Sequence, residues 1–326
     1  MTDAMPAFSL LHPETLDDAL LALSTTAESR ALAGGTDLIV NMRRGLVEAP
    51  KLVSLARVPE LQRFETTENG LVLGAGVTLA DIADSTLVRE YYPALAQAAE
   101  SVAGHTHRQV ATLGGNLCQD TRCLYYNQSH WLRKSNDFCL KYRGEICHVA
   151  PRGKRCRAAY CGDIAPALLV HDAELTLAGP EGTRQLKLRD FFNEDGAQST
   201  RLKPQEIIVS VLLRAPRGKS AYGKIRQRGA IDFPLAGVAV LADSRKQQTA
   251  FTIALTGTNS CPILLNNLPS LGGPAEADGY FNALSKTVQK SVSPQRTTTI
   301  AAHYRRLSIA ALAARLARQL WEEGRP

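Results

Sequence analysis

ALAGGTDLIVNMRRG, residues 31–45, places a pair of glycines between a strand-like and a helix-like stretch of sequence. Residues 30–33 form the short apolar run before the turn, and apolar residues recur at helical density from Leu38 to Met42. Gly34 and Gly35 permit positive φ and close backbone approach, so that consecutive N–H groups can converge on a phosphate oxygen. The pattern therefore favours a phosphate site, although a glycine pair before a helix is also typical of a simple turn.

A second glycine turn, TLGGN at residues 112–116, repeats this chemistry further along the chain. Two such turns suit a diphosphate held between two lobes. Neither turn matches the G-x-G-x-x-G fingerprint, and the GAG at residues 74–76 stops after its second glycine inside a predicted strand. The pair indicates a dinucleotide site that is not of the Rossmann type, and no separate nicotinamide site is visible.

The rest of the chain reads as a mixture of helices and strands. Thr15 is a candidate cap for a helix within residues 13–27, and Asn69-Gly70 predicts a hairpin. Further strands are predicted at residues 51–56, 71–77, 206–213, 237–243 and 250–257, further helices at 78–83, 93–103 and about 298–322, and a linker at 215–219. This alternation predicts an α+β protein.

Composition narrows the class of protein. The chain is 44% hydrophobic and 21% charged, which excludes a disordered or collagenous protein. No window approaches the roughly 18 apolar residues that a membrane span requires. The start, MTDAMPAFSLLHPE, lacks the basic and apolar regions of a secretory signal. We therefore expect a cytoplasmic protein without membrane contact.

Several stretches together resemble the FAD-binding subunit of the xanthine oxidase, or molybdenum hydroxylase, family. They are HPETLDDALLAL, ALAGGTDLIVNMRRG, VATLGGNLCQ, GDIAPALLVHDAEL and YGKIRQRGAIDFPLAGVAV, in that order along the chain. The resemblance implies a vanillyl-alcohol-oxidase/PCMH-type FAD-binding fold of two subdomains in residues 1–215. It also implies a smaller α/β domain, like that of the CO dehydrogenase flavoprotein, in residues 216–326.

The same resemblance implies which residues bind FAD, and no catalytic residue is expected on this chain. The FAD diphosphate would be held by Ala33, Gly34, Gly35, Thr36, Asp37 and Leu38. A second flavin-binding stretch would be formed by Ala111, Thr112, Gly114, Gly115 and Asn116, and Asp163 would contact the cofactor. Lys224 and Asp232 would lie near the isoalloxazine or its ribityl chain, or they form a surface pair at the end of a strand.

The cysteines are unevenly distributed. Six of the seven lie between Cys118 and Cys161, which scattered buried thiols would not do. In the family pattern the second glycine turn is followed closely by the stretch around Asp163, whereas here about residues 120–161 intervene; we call these the cysteine segment. Cys123, Cys139, Cys147 and Cys156 are its candidate metal ligands, and we expect Cys118 and Cys161 to be non-ligands. Four thiolates suit a [4Fe–4S] cluster or a zinc ion, which His130 and His148 could also serve, and the spacing does not decide between them.

A cysteine segment at this point resembles the flavoprotein subunit of the 4-hydroxybenzoyl-CoA reductase branch of the family. That narrower resemblance implies a [4Fe–4S] cluster that relays electrons from ferredoxin to FAD. The electrons would pass to a small subunit with two [2Fe–2S] clusters and to a large molybdenum-cofactor subunit, in a dimer of heterotrimers, where 4-hydroxybenzoyl-CoA is dehydroxylated. The alternatives are the FAD subunit of another molybdenum hydroxylase (xanthine, CO or aldehyde dehydrogenase type) and a flavin-free, zinc-stapled interaction module.

The net charge of +7 is concentrated in the cysteine segment. Between residues 122 and 157, nine Lys or Arg residues face only Asp137 and Glu145. This excess is solvated charge, compensation for a negative cluster, or a docking patch for an acidic ferredoxin. Nucleic-acid binding is not expected, because no recognised motif or aromatic platform accompanies the charge.

Overall fold

The computed structural model describes residues 5–245, 248–296 and 298–324 of the chain. The first four residues, part of the stretch in which we expect no secretory signal, lie outside the described residues.

The N-terminal part forms a small parallel sheet covered by two short helices. Its elements are β1 (Ser9–Leu11), α1 (Leu16–Ser24), β2 (Ser29–Leu32), α2 (Leu38–Arg43) and β3 (Lys51–Ser54), with strand order β1-β3-β2. Thr15 caps α1 as predicted, because its hydroxyl accepts a hydrogen bond of 3.1 Å from the backbone N–H of Asp18. Ala19 and Leu23 of α1 pack on Val53 and Val58, so the apolar face of α1 closes this small core.

The second part is a five-stranded antiparallel sheet whose strands come from three separate stretches of the chain. Its strands are β4 (Phe64–Thr67), β5 (Gly70–Gly74), β6 (Glu174–Gly179), β7 (Gly182–Lys187) and β8 (Ile207–Leu213), in the order β4-β5-β8-β6-β7. The predicted hairpin joins β4 to β5. Because β5 pairs with β8, more than a hundred residues further on, the sheet joins distant parts of the chain and anchors both ends of the helical stretch between β5 and β6.

Seven short helices lie between β5 and β6. They are α3 (Leu79–Asp84), α4 (Thr86–Tyr91), α5 (Pro93–Ser101), α6 (His105–Arg108), α7 (Leu113–Leu117), α8 (His130–Ser135) and α9 (Ile164–Val170). All residues of α9 are buried, and this helix packs with α5 against the strands of the following sheet. The second glycine turn contains the first residues of α7, and Leu113 and Leu117 of this helix are fully buried.

The C-terminal part is a four-stranded antiparallel sheet with a helical pair on one face. It contains β9 (Lys219–Ile225), β10 (Ala236–Arg245), β11 (Gln248–Thr256), β12 (Ile263–Leu265), α10 (Ala277–Ser291) and α11 (Ala302–Glu323), with strand order β12-β11-β10-β9. Phe281 of α10 and Leu316 of α11 pack on one face of the sheet, and α5 and α9 cover the other. None of the described helices is long and apolar enough to cross a bilayer.

Candidate functional site

The two glycine turns line one cleft of about 520 Å³, which we call the glycine cleft. The predicted site residues that line it are Ala33, Gly34, Gly35, Thr36, Asp37, Leu38, Ala111, Thr112, Gly115, Asn116, Asp163 and Asp232. Gly114 and Lys224 do not line it. The fold thus brings together the two glycine turns, the start of α9 and the loop between β9 and β10 in a single cavity.

The first turn connects β2 to α2 and is pressed against the second. A Cβ atom on Gly34 would lie 1.7 Å from the backbone oxygen of Val110, and Gly35 has φ +71°, so both positions require glycine. Within the described residues, no hydrogen bond uses the backbone N–H groups of Gly34, Gly35 or Thr36. Three consecutive backbone donors are therefore available beside the cleft.

The second turn is fixed to the end of β5 and to α9. Backbone N–H groups of Leu113 and Gly114 donate to the carbonyls of Val77 and Ala75, at 2.9 and 2.8 Å. A Cβ on Gly114 would lie 2.8 Å from the Cβ of Ala75, so this glycine permits close packing behind the turn. The Asn116 side chain accepts a hydrogen bond of 3.2 Å from the backbone of Ile164, which joins the turn to α9.

A neighbouring pocket of about 720 Å³ shares Ala33, Gly34, Thr112 and Gly115 with the glycine cleft. Its remaining lining includes Leu55, Leu61, Gln62, Gly76 and Ile208. The paired turns therefore border two cavities, and together these provide space for a ligand longer than a mononucleotide.

Asp163 is the centre of a buried polar group beside the glycine cleft. Its two carboxylate oxygens accept hydrogen bonds from the Tyr222 hydroxyl at 2.5 Å and the Lys224 ammonium at 3.0 Å. Burial raises the pKa of Asp163, and the Lys224 charge acts in the opposite direction. The Lys224 side chain is only 4% exposed. The interpretation of Lys224 as part of a surface pair is therefore wrong, because it lies behind Asp163.

Asp232 supports a loop at the edge of the cleft. Although burial acts to raise its pKa, the backbone N–H groups of Arg228 and Gln227 outweigh this effect and lower it. Those two donors lie 3.1 and 3.0 Å from the carboxylate. The same loop places Ile231 and Phe233 in the cleft lining.

The four predicted metal ligands, Cys123, Cys139, Cys147 and Cys156, line one small cavity, which we call the cysteine cavity. Tyr125, Tyr126, Lys141 and His148 also contribute to its lining. His130 is not part of this lining, and Cys118 lines the glycine cleft instead. No group of three or more His, Cys, Asp or Glu side chains in the described ranges is arranged so that it could hold a metal ion.

The two ends of the cysteine segment are joined by backbone pairing, and most of the residues between them have no regular secondary structure. Arg122 and Ala159 form an antiparallel bridge with two backbone hydrogen bonds of 2.7 Å. Between them, the described regular structure is the six-residue helix α8. Burial raises the pKa of the Cys156 thiol to about 12 and also raises the pKa of Cys123. These thiols need a strong electrostatic partner to become thiolates.

Two basic residues of the cysteine segment are buried, a feature that charge counting alone does not reveal. The Lys141 side chain is 6% exposed, and its ammonium donates to Asp120 at 2.6 Å. Arg133 is 2% exposed, and its Nε and Nη1 atoms have no hydrogen-bond partner. For these two residues solvated surface charge is the wrong interpretation, whereas Lys134 and Arg143 are exposed as that interpretation expects.

The glycine cleft and the cysteine cavity are joined by charged side chains. Asp37 of the first glycine turn forms an ion pair with Arg122 and accepts a hydrogen bond of 2.9 Å from the backbone of Asp120. Asp120 and Arg122 both line the glycine cleft, Arg122 precedes Cys123, and Lys141 lines the cysteine cavity. The Asp120–Lys141 ion pair therefore connects the linings of the two cavities.

Comparison with known proteins identifies relatives with the same architecture. Residues 6–216 match the family described as the FAD binding domain in molybdopterin dehydrogenase. The aldehyde oxidoreductase FAD-binding subunit PaoB of Escherichia coli K12 is 33% identical over 248 residues, 73% of this chain and 78% of that protein. The carbon monoxide dehydrogenase medium chain of Hydrogenophaga pseudoflava is 26% identical over 264 residues, covering 80% and 77%.

A solved structure of carbon monoxide dehydrogenase from Hydrogenophaga pseudoflava matches with a TM-score of 0.78 at 20% identity. The match covers 98% of this chain and 99% of that chain. This likeness confirms the predicted PCMH-type FAD-binding fold with its smaller C-terminal domain.

Proposed function

The chain belongs to the family of FAD-binding domains of molybdopterin dehydrogenases, and we propose that it is an electron-transferring FAD subunit that also carries an iron–sulfur cluster. The observation that carries this proposal is the set of ion pairs, Asp37–Arg122 and Asp120–Lys141, that connects the lining of the glycine cleft with that of the cysteine cavity. Redox groups bound in two cavities connected in this way would exchange electrons within one chain.

The glycine cleft fits FAD. The unused N–H groups of Gly34, Gly35 and Thr36 would bind the diphosphate, and Thr112, Gly115 and Asn116 would border the same cofactor from α7. The two cavities that meet at these turns would take its two halves. Bound there, FAD supplies reversible two-electron chemistry, while the protein positions it and sets its potential.

Next to the flavin site, Asp163 and Lys224 form a buried ion pair with a separation of 3.0 Å. Because Lys224 also donates to the Ser101 carbonyl at 3.1 Å, its position is fixed from two sides. We propose that this pair orients the polar edge of the cofactor, and that Asp232 holds the loop that covers it.

We propose that the cysteine cavity holds a [4Fe–4S] cluster. Four thiols line it, one for each iron, and in such a cluster the ligands bind four separate metal atoms instead of converging on one. The buried, unpaired Nε and Nη1 atoms of Arg133 and the buried Lys141 supply positive charge to the interior of the same segment. Lys141 is paired with Asp120, but Arg133 forms no ion pair among the described residues. An uncompensated buried cation is costly, so a negatively charged metal–thiolate centre would stabilise this arrangement.

The partners follow from the family and from the proposed relay. We propose a large molybdenum-cofactor subunit and a small subunit with two [2Fe–2S] clusters, in a dimer of heterotrimers in the cytoplasm. The exposed face of the cysteine segment, with Trp131 64% and Ile146 52% exposed among basic residues, would receive an acidic ferredoxin. These partners remain predictions.

Two substrates are candidates for the partner subunit. The position of the cysteine segment favours reductive dehydroxylation of 4-hydroxybenzoyl-CoA. The 33% identity to a subunit named for an aldehyde oxidoreductase favours oxidation of aldehydes. The purified complex would distinguish them by activity with reduced dye and the CoA thioester, or with aldehyde and an electron acceptor.

The cofactor assignment is tested by anaerobic purification and assay of flavin, iron, sulfide and zinc on one sample. We expect one FAD with about four irons and four sulfides per chain. Cys156→Ser should lose most of the iron and keep FAD, whereas Cys261→Ser, outside the cysteine cavity, should keep both. FAD with one zinc and no sulfide would mean that the cysteine segment binds zinc in a purely structural role. A colourless protein with zinc would instead identify an interaction module.

A further inference from the structure

Lys141 occupies an unusual position in the cysteine segment. It lines the cysteine cavity with the four thiols, yet its side chain is 6% exposed. Its ammonium donates to the Asp120 carboxylate at 2.6 Å and to the Thr121 hydroxyl at 2.5 Å and carbonyl at 3.0 Å, and it lies 4.3 Å from the centre of the Tyr126 ring. The three hydrogen bonds and the aromatic contact therefore hold the ammonium in one position.

The contacts of Lys141 continue to the glycine cleft. Asp120, its ion-pair partner, lines that cleft, and the second carboxylate oxygen of Asp120 is buried without a hydrogen-bond partner. The backbone N–H of Asp120 donates to Asp37 at 2.9 Å, and Asp37 pairs with Arg122. A continuous set of polar contacts thus runs from the cysteine cavity to the glycine turn.

We propose that Lys141 is a positioning and tuning residue that raises the reduction potential of the cluster relative to the flavin. This inference rests on the proposed function. A fixed cation beside a cluster stabilises the electron that reduction adds, and partial burial weakens the screening of that effect by solvent. Asp120 opposes the effect and holds the ammonium in place. The ion pair therefore sets how readily electrons cross between the two cavities.

The reciprocal substitutions make the proposal specific. Lys141→Met removes the cation and leaves the Asp120 charge, so the cluster should become harder to reduce. At a fixed potential near the midpoint, the ratio of reduced to oxidised cluster should fall roughly tenfold. Asp120→Asn removes the opposing charge, so the same ratio should rise. A residue with a merely structural role would not shift the potential in opposite directions in these two variants.

The experiment is a redox titration of the purified complex, with the cluster followed by electron paramagnetic resonance and the flavin by visible absorption. Lys134→Met, the same change at an exposed lysine of the same segment, is the matched control and should leave the cluster potential unchanged. Lys141→Arg should retain most of the wild-type potential. Iron and sulfide are assayed on every variant, so that loss of the cluster is not mistaken for a shift.

The outcomes separate this inference from the function it rests on. A wild-type complex without iron and sulfide would overturn the proposed function. A wild-type complex with its cluster, but with equal potentials in Lys141→Met and Lys134→Met, would overturn only the role of Lys141. Shifts in the same direction for Lys141→Met and Asp120→Asn would also overturn it, because they would indicate distortion of the segment.

Discussion

At the scale of single residues, the site depends on positions where any side chain would force the two turns apart. Gly34 is the clearest case, since its Cβ would lie 1.7 Å from the Val110 oxygen, an atom of the backbone. A rigid backbone neighbour cannot rotate away as a flexible side chain would. The contact between the turns, and hence the shape of the glycine cleft, therefore requires glycine at this position.

Gly34→Ala should reduce the FAD content of the purified protein at least tenfold and destabilise the fold by roughly 1–3 kcal/mol, the usual cost of overpacking. Flavin absorbance per chain and the unfolding midpoint measure the two effects. Gly273→Ala is the control, because no atom lies within 4 Å of the added Cβ. Full flavin occupancy in Gly34→Ala would contradict a role for this contact in binding.

At the scale of elements, the cysteine segment differs from the sheets that surround it. It contains one six-residue helix, and at its base the bridge between Arg122 and Ala159 joins its two ends. By contrast, β6 and β8 pair along their length and bury Leu175 and Val211. The segment therefore has few cooperative backbone contacts of its own, and a metal centre would supply much of its order.

Removal of iron by a chelator should accordingly increase amide hydrogen exchange across residues 121–160 by about tenfold or more. Exchange in β6 and β8 should stay unchanged, which provides an internal control in the same sample. Mass spectrometry of peptides from both regions gives the measurement. Equal exchange in the segment before and after chelation would show that its order does not depend on a metal.

The difference between elements also explains what the sequence could predict. The cap at Thr15, the β4–β5 hairpin and both glycine turns depend on neighbouring residues, and the structure contains all of them. Pairing of Asp37 with Arg122 joins residues 85 positions apart, so no local pattern signals it. The burial of Lys141 likewise depends on how the irregular segment folds back on residue 120. Such contacts follow from tertiary structure and not from periodicity.

At the scale of the whole molecule, the C-terminal sheet meets α5 and α9 around a few buried polar residues. His171, at the end of α9, lies 3.2 Å from the Ser220 hydroxyl of β9 and 5.2 Å from the Tyr92 ring. Ser220 also accepts a hydrogen bond of 3.2 Å from the backbone of Ala94 in α5. One imidazole thus connects the FAD-binding part to the C-terminal sheet.

Burial, assisted by the Arg217 charge, lowers the pKa of His171 to about 4. In the unfolded chain a histidine titrates near ~6.5, so between these values the unfolded state binds a proton that the native state does not. The contribution of His171 to stability is therefore fully present above about pH 6.5 and is lost as the pH falls toward 4. The loss should reach roughly 3 kcal/mol, and it should loosen the contact of β9 with α5 and α9.

His171→Gln keeps a hydrogen-bonding group for Ser220 but cannot take up this proton. Its free energy of unfolding, from urea denaturation at pH 7 and at pH 4.5, should depend less on pH than that of the wild type. His12→Gln, at an exposed histidine, controls for loss of a titratable group. Parallel pH dependences in wild type and His171→Gln would mean that the native imidazole takes up its proton as readily as in the unfolded chain. In that case the contact of β9 with α5 and α9 would contain a buried cation at pH 4.5, and its stability at that pH would have to come from packing.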